Sequence, residues 1–251
     1  MTIIKDAIIW WVKNIRMVCA ILAPALVMAV IVKSILSQIF IVEGDNFLGI
    51  GAHTIRYFFP VWYVVDVCFA LLCMGALLYY LENSPTKDLS YKKIIIAGLY
   101  NWPKLIATAI IIGFVVYGLL LLNMAVRNSL LLLIGQVWAL FMYFFIPWRY
   151  GLILPVVVIE KQGILKSFAI SADLSKGKRA QILAVIIGYF VVINALLIGL
   201  GLISREFLMP SENLGTILNV TVMTCELLII WFAFSMLSVV LFFFYKSGKS
   251  A

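Results

Sequence analysis

Several stretches of about 20 residues run through this chain with almost no ionisable side chain. A helix of that length rises about 30 Å, the thickness of the hydrocarbon core of a bilayer. Inside that core every backbone N–H and C=O must be paired by protein, so helices and closed barrels are the only spanning forms. The runs are too long and too evenly apolar for the in–out alternation of barrel strands. Composition agrees: 65% of the 251 residues are apolar, 12% are charged, and the mean hydropathy is +1.14. The expected fold class is all-α, a polytopic membrane protein with six transmembrane helices in a single membrane domain, residues 1–251.

The spans are expected at about Met17–Val42, Val61–Leu81, Leu105–Leu122, Ser129–Ile159, Ala180–Ile203 and Gly215–Tyr245. The fourth, 31 residues long, exceeds one crossing, and Pro147 and Pro155 should bend it. The first run follows Lys5, Lys13 and Arg16, is too long for a signal-peptide core and lacks a convincing cleavage site, so it reads as a retained helix.

Three shorter segments are amphipathic. In TIIKDAIIWWVKNIR, Ile4, Ile8, Trp11 and Ile15 form one stripe at helical spacing, while Lys5, Asp6, Lys13 and Arg16 gather opposite. Such a helix lies in the membrane plane with its aromatic rings at headgroup level. Similar segments occur at Ser90–Trp102, before Pro103-Lys104, and at Gly163–Ser175, before Lys176 to Arg179. The expected organisation is therefore three hairpins, each preceded by a short interfacial helix, in units of about 1–82, 83–160 and 161–251.

Charge sets the orientation. With the N-terminus in the cytoplasm, 14 basic residues fall on the inner side and only Arg56, Arg127 and Arg205 outside, while Lys33 and Arg149 lie within spans. This positive-inside split predicts that both termini are cytoplasmic. It also accounts for the net charge of +8 without a nucleic-acid partner. The expected partners are membrane lipids: a lysine or arginine near an anionic headgroup surface contributes about 1 kcal/mol. A protein partner is left open.

Ionisable side chains inside a span are costly, so they mark candidate sites. Lys33, Asp66 and Glu226 all map to the outer half and could meet as a polar layer, either a pocket open to the outer face or a structural ion pair. Arg149, at the inner end of the fourth span, and Lys176, Lys178 and Arg179 are candidate contacts for lipid phosphate. The four cysteines lie in apolar spans and read as packing residues. The single histidine, His53, reads as a surface residue. Neither metal-ligand spacing nor a phosphate loop, HExxH or nucleophile elbow is present. No cofactor, metal or catalytic residue is expected, and the chain does not read as an enzyme. Gly113, Gly118, Gly188, Gly199 and Gly201 read as helix-packing positions.

The stretch RYGLILPVVVIEKQGILKSFAISADLSKGKRAQIL resembles the YciC-like family of bacterial inner-membrane proteins. It is also similar to the membrane domain found beside some glycerophosphodiester phosphodiesterases. The matching positions are Arg149, Pro155, Glu160, Gly163, Ser171, Lys176, Gly177 and Lys178. The N-terminal helix and the Pro103-Lys104 junction also fit, whereas the Pro-Gly expected between the third and fourth spans is replaced by Asn123 to Ser129. The resemblance implies a six-helix protein of the bacterial inner membrane and brings no activity with it. The function expected is a non-enzymatic membrane protein that organises lipid or a partner. The alternative is a small-solute or lipid transporter built on Lys33, Asp66 and Glu226.

Overall fold

The computed structural model describes residues 2–41, 52–84, 89–126, 129–207 and 212–249, with backbone alone for 33–34, 36–41, 52–63, 123–126, 200–207, 212–224 and 226–227. Among the described residues the chain is entirely helical: α1 Thr2–Lys13, α2 Ile15–Ile41, α3 Ala52–Asn83, α4 Tyr91–Val126, α5 Ser129–Tyr150, α6 Ile153–Ile159, α7 Ile164–Leu174, α8 Arg179–Phe207 and α9 Glu212–Lys249. Six of these contain stretches long and apolar enough to cross a membrane: Ile15–Val32, Val64–Asn83, Tyr91–Leu122, Ser129–Tyr150, Arg179–Gly199 and Leu228–Lys249. This is the architecture of a multi-pass integral membrane protein.

The helices are not equally placed. α3 and α9 pack on each other and on most of the remaining elements, and about half of each of their spans is buried. α4 and α5 pack together, α5 also touches α8, and α8 packs on α9. The continuous core joins Val18 and Ile21 of α2, Leu77 and Leu78 of α3, Leu105 of α4, Val156 of α6, Ile182 of α8 and Trp231 of α9.

Local chemistry sets several boundaries. Asn14 separates α1 from α2: its backbone N–H and side-chain amide both donate to the Trp10 carbonyl, at 3.0 and 2.9 Å. The long fourth apolar stretch breaks at Gly151 rather than at either proline. Pro147 is carried inside α5, and Pro155 falls in the first turn of α6, where a missing N–H costs least. Gly151 has no room for a side chain, since a Cβ there would lie 2.5 Å from Ile182 Cγ2 and 2.6 Å from the Pro147 carbonyl oxygen. The chain then enters α6, whose Ile153, Pro155, Val156, Val157 and Val158 are all buried.

The segment expected at Gly163–Ser175 is α7, capped by those two residues. The second short segment is not a separate helix, because α4 continues through Pro103. A proline removes one hydrogen bond, and the flanking apolar turns hold the helix together where packing supplies the rest. Among the described residues the glycines expected to pack are placed differently: Gly113, Gly188 and Gly199 meet nothing within 4 Å, and Gly118 meets only Phe114 of its own helix. Close approach falls instead at Gly98, where a Cβ would lie 2.8 Å from Ala76 Cβ, and at Gly151. Gly201 is outside the residues whose side-chain surroundings are described.

Candidate functional site

α6, α7 and the end of α9 meet in one polar cluster. Glu160, the C-cap of α6, accepts a hydrogen bond from the Tyr245 hydroxyl at 2.5 Å, and Lys249 Nζ lies 2.9 Å from the same carboxylate oxygen. Lys249 also sits over the Tyr245 ring, 5.6 Å from its centroid. The Tyr245 bond holds the Glu160 carboxyl below its ordinary range; partial burial opposes this and Lys249 reinforces it. Lys161 then turns the chain toward α7 at φ 52°, and Gly177 turns it toward α8 at φ 80°. The second turn favours glycine because a side chain is strained in the left-handed region. Lys178 donates to Ser247 Oγ at 2.8 Å, so α9 is tied to both flanks of α7.

α1 docks on the same helix. Trp11 Nε1 donates to Ser235 Oγ at 3.0 Å, and Ala7 is fully buried. The other side of α1 keeps Ile9 and Val12 exposed beside Lys5 and Lys13. α7 likewise exposes Leu165, 80% accessible, beside Lys166.

The four candidate phosphate contacts are engaged to different degrees. Arg149 is exposed and lies 5.6 Å from the Tyr150 ring centroid. Lys176 is exposed and pairs with Asp173 at 2.8 Å, which holds the Asp173 carboxyl below its ordinary range. Lys178 is engaged with Ser247. Arg179 donates Nη2 to the Ala172 carbonyl at 3.4 Å, and its buried Nε has no hydrogen-bond partner among the described residues. Of the expected polar layer, Asp66 is half-buried on α3 with its Oδ1 shielded from solvent. Lys33 and Glu226 belong to α2 and α9, but their side chains lie outside the described residues. His53 lies outside them as well.

Two further features were not legible in the sequence. A cavity of about 10 Å³ beside Cys73, Ser238 and Trp231 has room for about one water, and the buried Trp231 Nε1 has no hydrogen-bond partner among the described residues. A lateral groove of about 320 Å³ runs between α4, α5 and α8, lined by Ile112, Val116, Tyr143, Pro147, Ile186 and Phe190 among others, almost wholly through carbon atoms. The contacts that build both features join residues far apart in the chain. Among the described residues no group of histidine, cysteine or carboxylate side chains could hold a metal.

No protein-family model, curated protein or solved structure matches the chain.

Proposed function

We propose that this is a non-enzymatic protein of the bacterial inner membrane that organises anionic lipid, or a partner bound to it, at its cytoplasmic side. In this reading both termini are cytoplasmic, the long helices form three hairpins, and α1 and α7 lie in the headgroup layer. Kinship with the YciC-like family belongs to the same proposal. The observation that carries it is the exposed face of the two short helices. Val12 and Leu165 point away from the protein next to Lys13 and Lys166. Apolar and basic side chains together on an exposed helix suit an interface that offers both acyl chains and phosphates.

The test is lipid retention. The full chain is extracted in mild detergent, and its co-purified lipids are compared with those of the source membrane by mass spectrometry. Enrichment of anionic over zwitterionic phospholipid, diminished when lysines 5, 13 and 166 are changed to glutamine, supports the reading. Equal retention of both classes overturns it. Cytosolic labelling of a tag near Asp45 or Asn213 overturns the orientation. The transport reading keeps one favourable observation: α2, α3 and α9, which carry Lys33, Asp66 and Glu226, pack against one another.

A further inference from the structure

We propose that the small cavity between α2, α3 and α9 is a binding site for a single water molecule, which accepts a hydrogen bond from Trp231 Nε1 and donates to the Ser235 and Ser238 hydroxyls. The inference stands apart from the lipid-organising reading. It concerns how the centre of the fold is completed.

The cavity, about 10 Å³, is lined by Leu22 of α2, Cys73 and Leu77 of α3, and Trp231, Ser235 and Ser238 of α9, among others. That is about the space one water needs. All six of these side chains are buried, and Trp231 is only 1% exposed. Positions 231, 235 and 238 are four and three residues apart, so the indole and both hydroxyls share one face of α9. Ser238 stands at the middle of the 22-residue apolar stretch Leu228–Lys249. In a bilayer, bulk water does not reach that depth.

The polar atoms of the lining are mismatched in one direction. Ser238 donates its proton to the Phe234 carbonyl at 2.7 Å, and Ser235 donates to the Phe232 carbonyl at 2.6 Å. The Cys73 thiol faces the Ile21 carbonyl at 3.8 Å. Their protons are engaged with backbone, and what remains is acceptor capacity. A hydroxyl oxygen has two lone pairs, and Ser235 uses one to accept from Trp11 Nε1 at 3.0 Å. Trp231 has the opposite need. Its indole can only donate, and among the described residues its Nε1 has no partner. One donor beside two acceptors fits a molecule that accepts one hydrogen bond and donates two. A cation cannot accept from the indole, and an anion cannot donate to the hydroxyls. A cavity lined by carbon alone stays dry, whereas three polar partners hold a buried water. The water then continues a line of hydrogen bonds from Trp11 of α1 through Ser235 to Trp231, where α9 packs on α3.

The experiment uses the full chain in micelles, with its seven tryptophans carrying an NMR-active nitrogen isotope. The indole signal lost in Trp231→Phe belongs to Trp231. In the wild type that proton is expected downfield, as in a hydrogen-bonded indole, with a cross-peak to a long-lived water. Ala70→Val puts two methyl groups at the cavity wall and should abolish the cross-peak and move the proton upfield. Ala180→Val, on the exposed face of α8, should do neither. A wild-type indole proton without a water cross-peak overturns the proposal, whether it is free or bonded to protein. A cross-peak that survives in a folded Ala70→Val protein places the water elsewhere and overturns it too. Should either variant fail to fold, a wild-type structure at water-resolving resolution decides. Density about 2.9 Å from Trp231 Nε1 supports the site, and a cavity without density overturns it.

Discussion

The hydroxyl of Tyr91 donates to the backbone carbonyl of Ala20 at 2.7 Å, and Ala20 is the residue four before Pro24. A proline inside a helix has no N–H to give to that carbonyl. In lipid the orphaned oxygen has no water to turn to, so a neighbouring helix supplies the donor. The proline in α2 is thus answered by a side chain from α4. The neighbouring Ile21 carbonyl, which keeps Ala25 as its helical donor, also lies 3.8 Å from Cys73 Sγ of α3.

Tyr91→Phe should therefore destabilise the protein by about 1 kcal/mol. In a Pro24→Ala background the new alanine N–H can serve the Ala20 carbonyl, and the same change should cost almost nothing. A double-mutant cycle by equilibrium unfolding in mixed micelles measures the coupling. Equal costs in both backgrounds would show that the hydroxyl is not completing the backbone of α2.

Glu160 gives a pH dependence of definite sign. Its carboxyl titrates below the ordinary glutamate range when folded. Its contribution is therefore complete above that range and is lost as pH falls through the lowered value. Glu160→Gln should cost about 1–2 kcal/mol near neutrality, discounted because Lys249 is half-exposed. The gap in melting temperature between wild type and variant should close on acidification. A gap that persisted below the carboxylate range would mean that charge is not what holds α6 to α9.

Gly151→Ala should cost about 1–3 kcal/mol, because both the Ile182 side chain and the Pro147 carbonyl stand where the new methyl would go. Gly113→Ala meets open space and should be neutral or stabilising by up to about 1 kcal/mol through helix propensity. Thermal unfolding of the two variants side by side checks the contrast, and a reversed order would refute the packing described for the end of α5.

Trp11→Phe removes the indole donor from Ser235 while keeping an aromatic ring. Hydrogen exchange should quicken across residues 2–13 and remain unchanged in α7, whose ties to α9 run through Glu160 and Lys178 instead. Faster exchange in both helices would mean that the two are one cooperative unit.

The membrane class was legible because a bilayer imposes a length and a composition that few other environments do. The limits of α7 were legible for a different reason: Gly163 and the Ser175-to-Arg179 turn change the local chemistry within a few residues. What the sequence could not show is which side of an evenly apolar helix faces protein. Gly113 and Gly151 are the same residue type in similar surroundings along the chain, and only the partner helix distinguishes them. The continuity of α4 through Pro103 was hidden likewise, since a proline marks a lost bond without revealing whether neighbours hold the helix together. Arg149, Lys176, Lys178 and Arg179 were visible as charges. The engagement of Lys178 with Ser247, 69 positions away, was not, nor was the 85-residue separation bridged by Glu160 and Tyr245.

α5 has a lasting consequence for how the protein must be handled. Only 6% of its span is buried, against 56% for the Leu228–Lys249 stretch of α9. Most of the matter touching α5 is therefore supplied by the surrounding membrane, which acts as a structural component of this helix. Harsh solubilisation should strip that component away first, leaving a protein whose α3–α9 centre survives while its flank has come loose. Preparations that look folded by helix content could then differ in the one region where the groove lies.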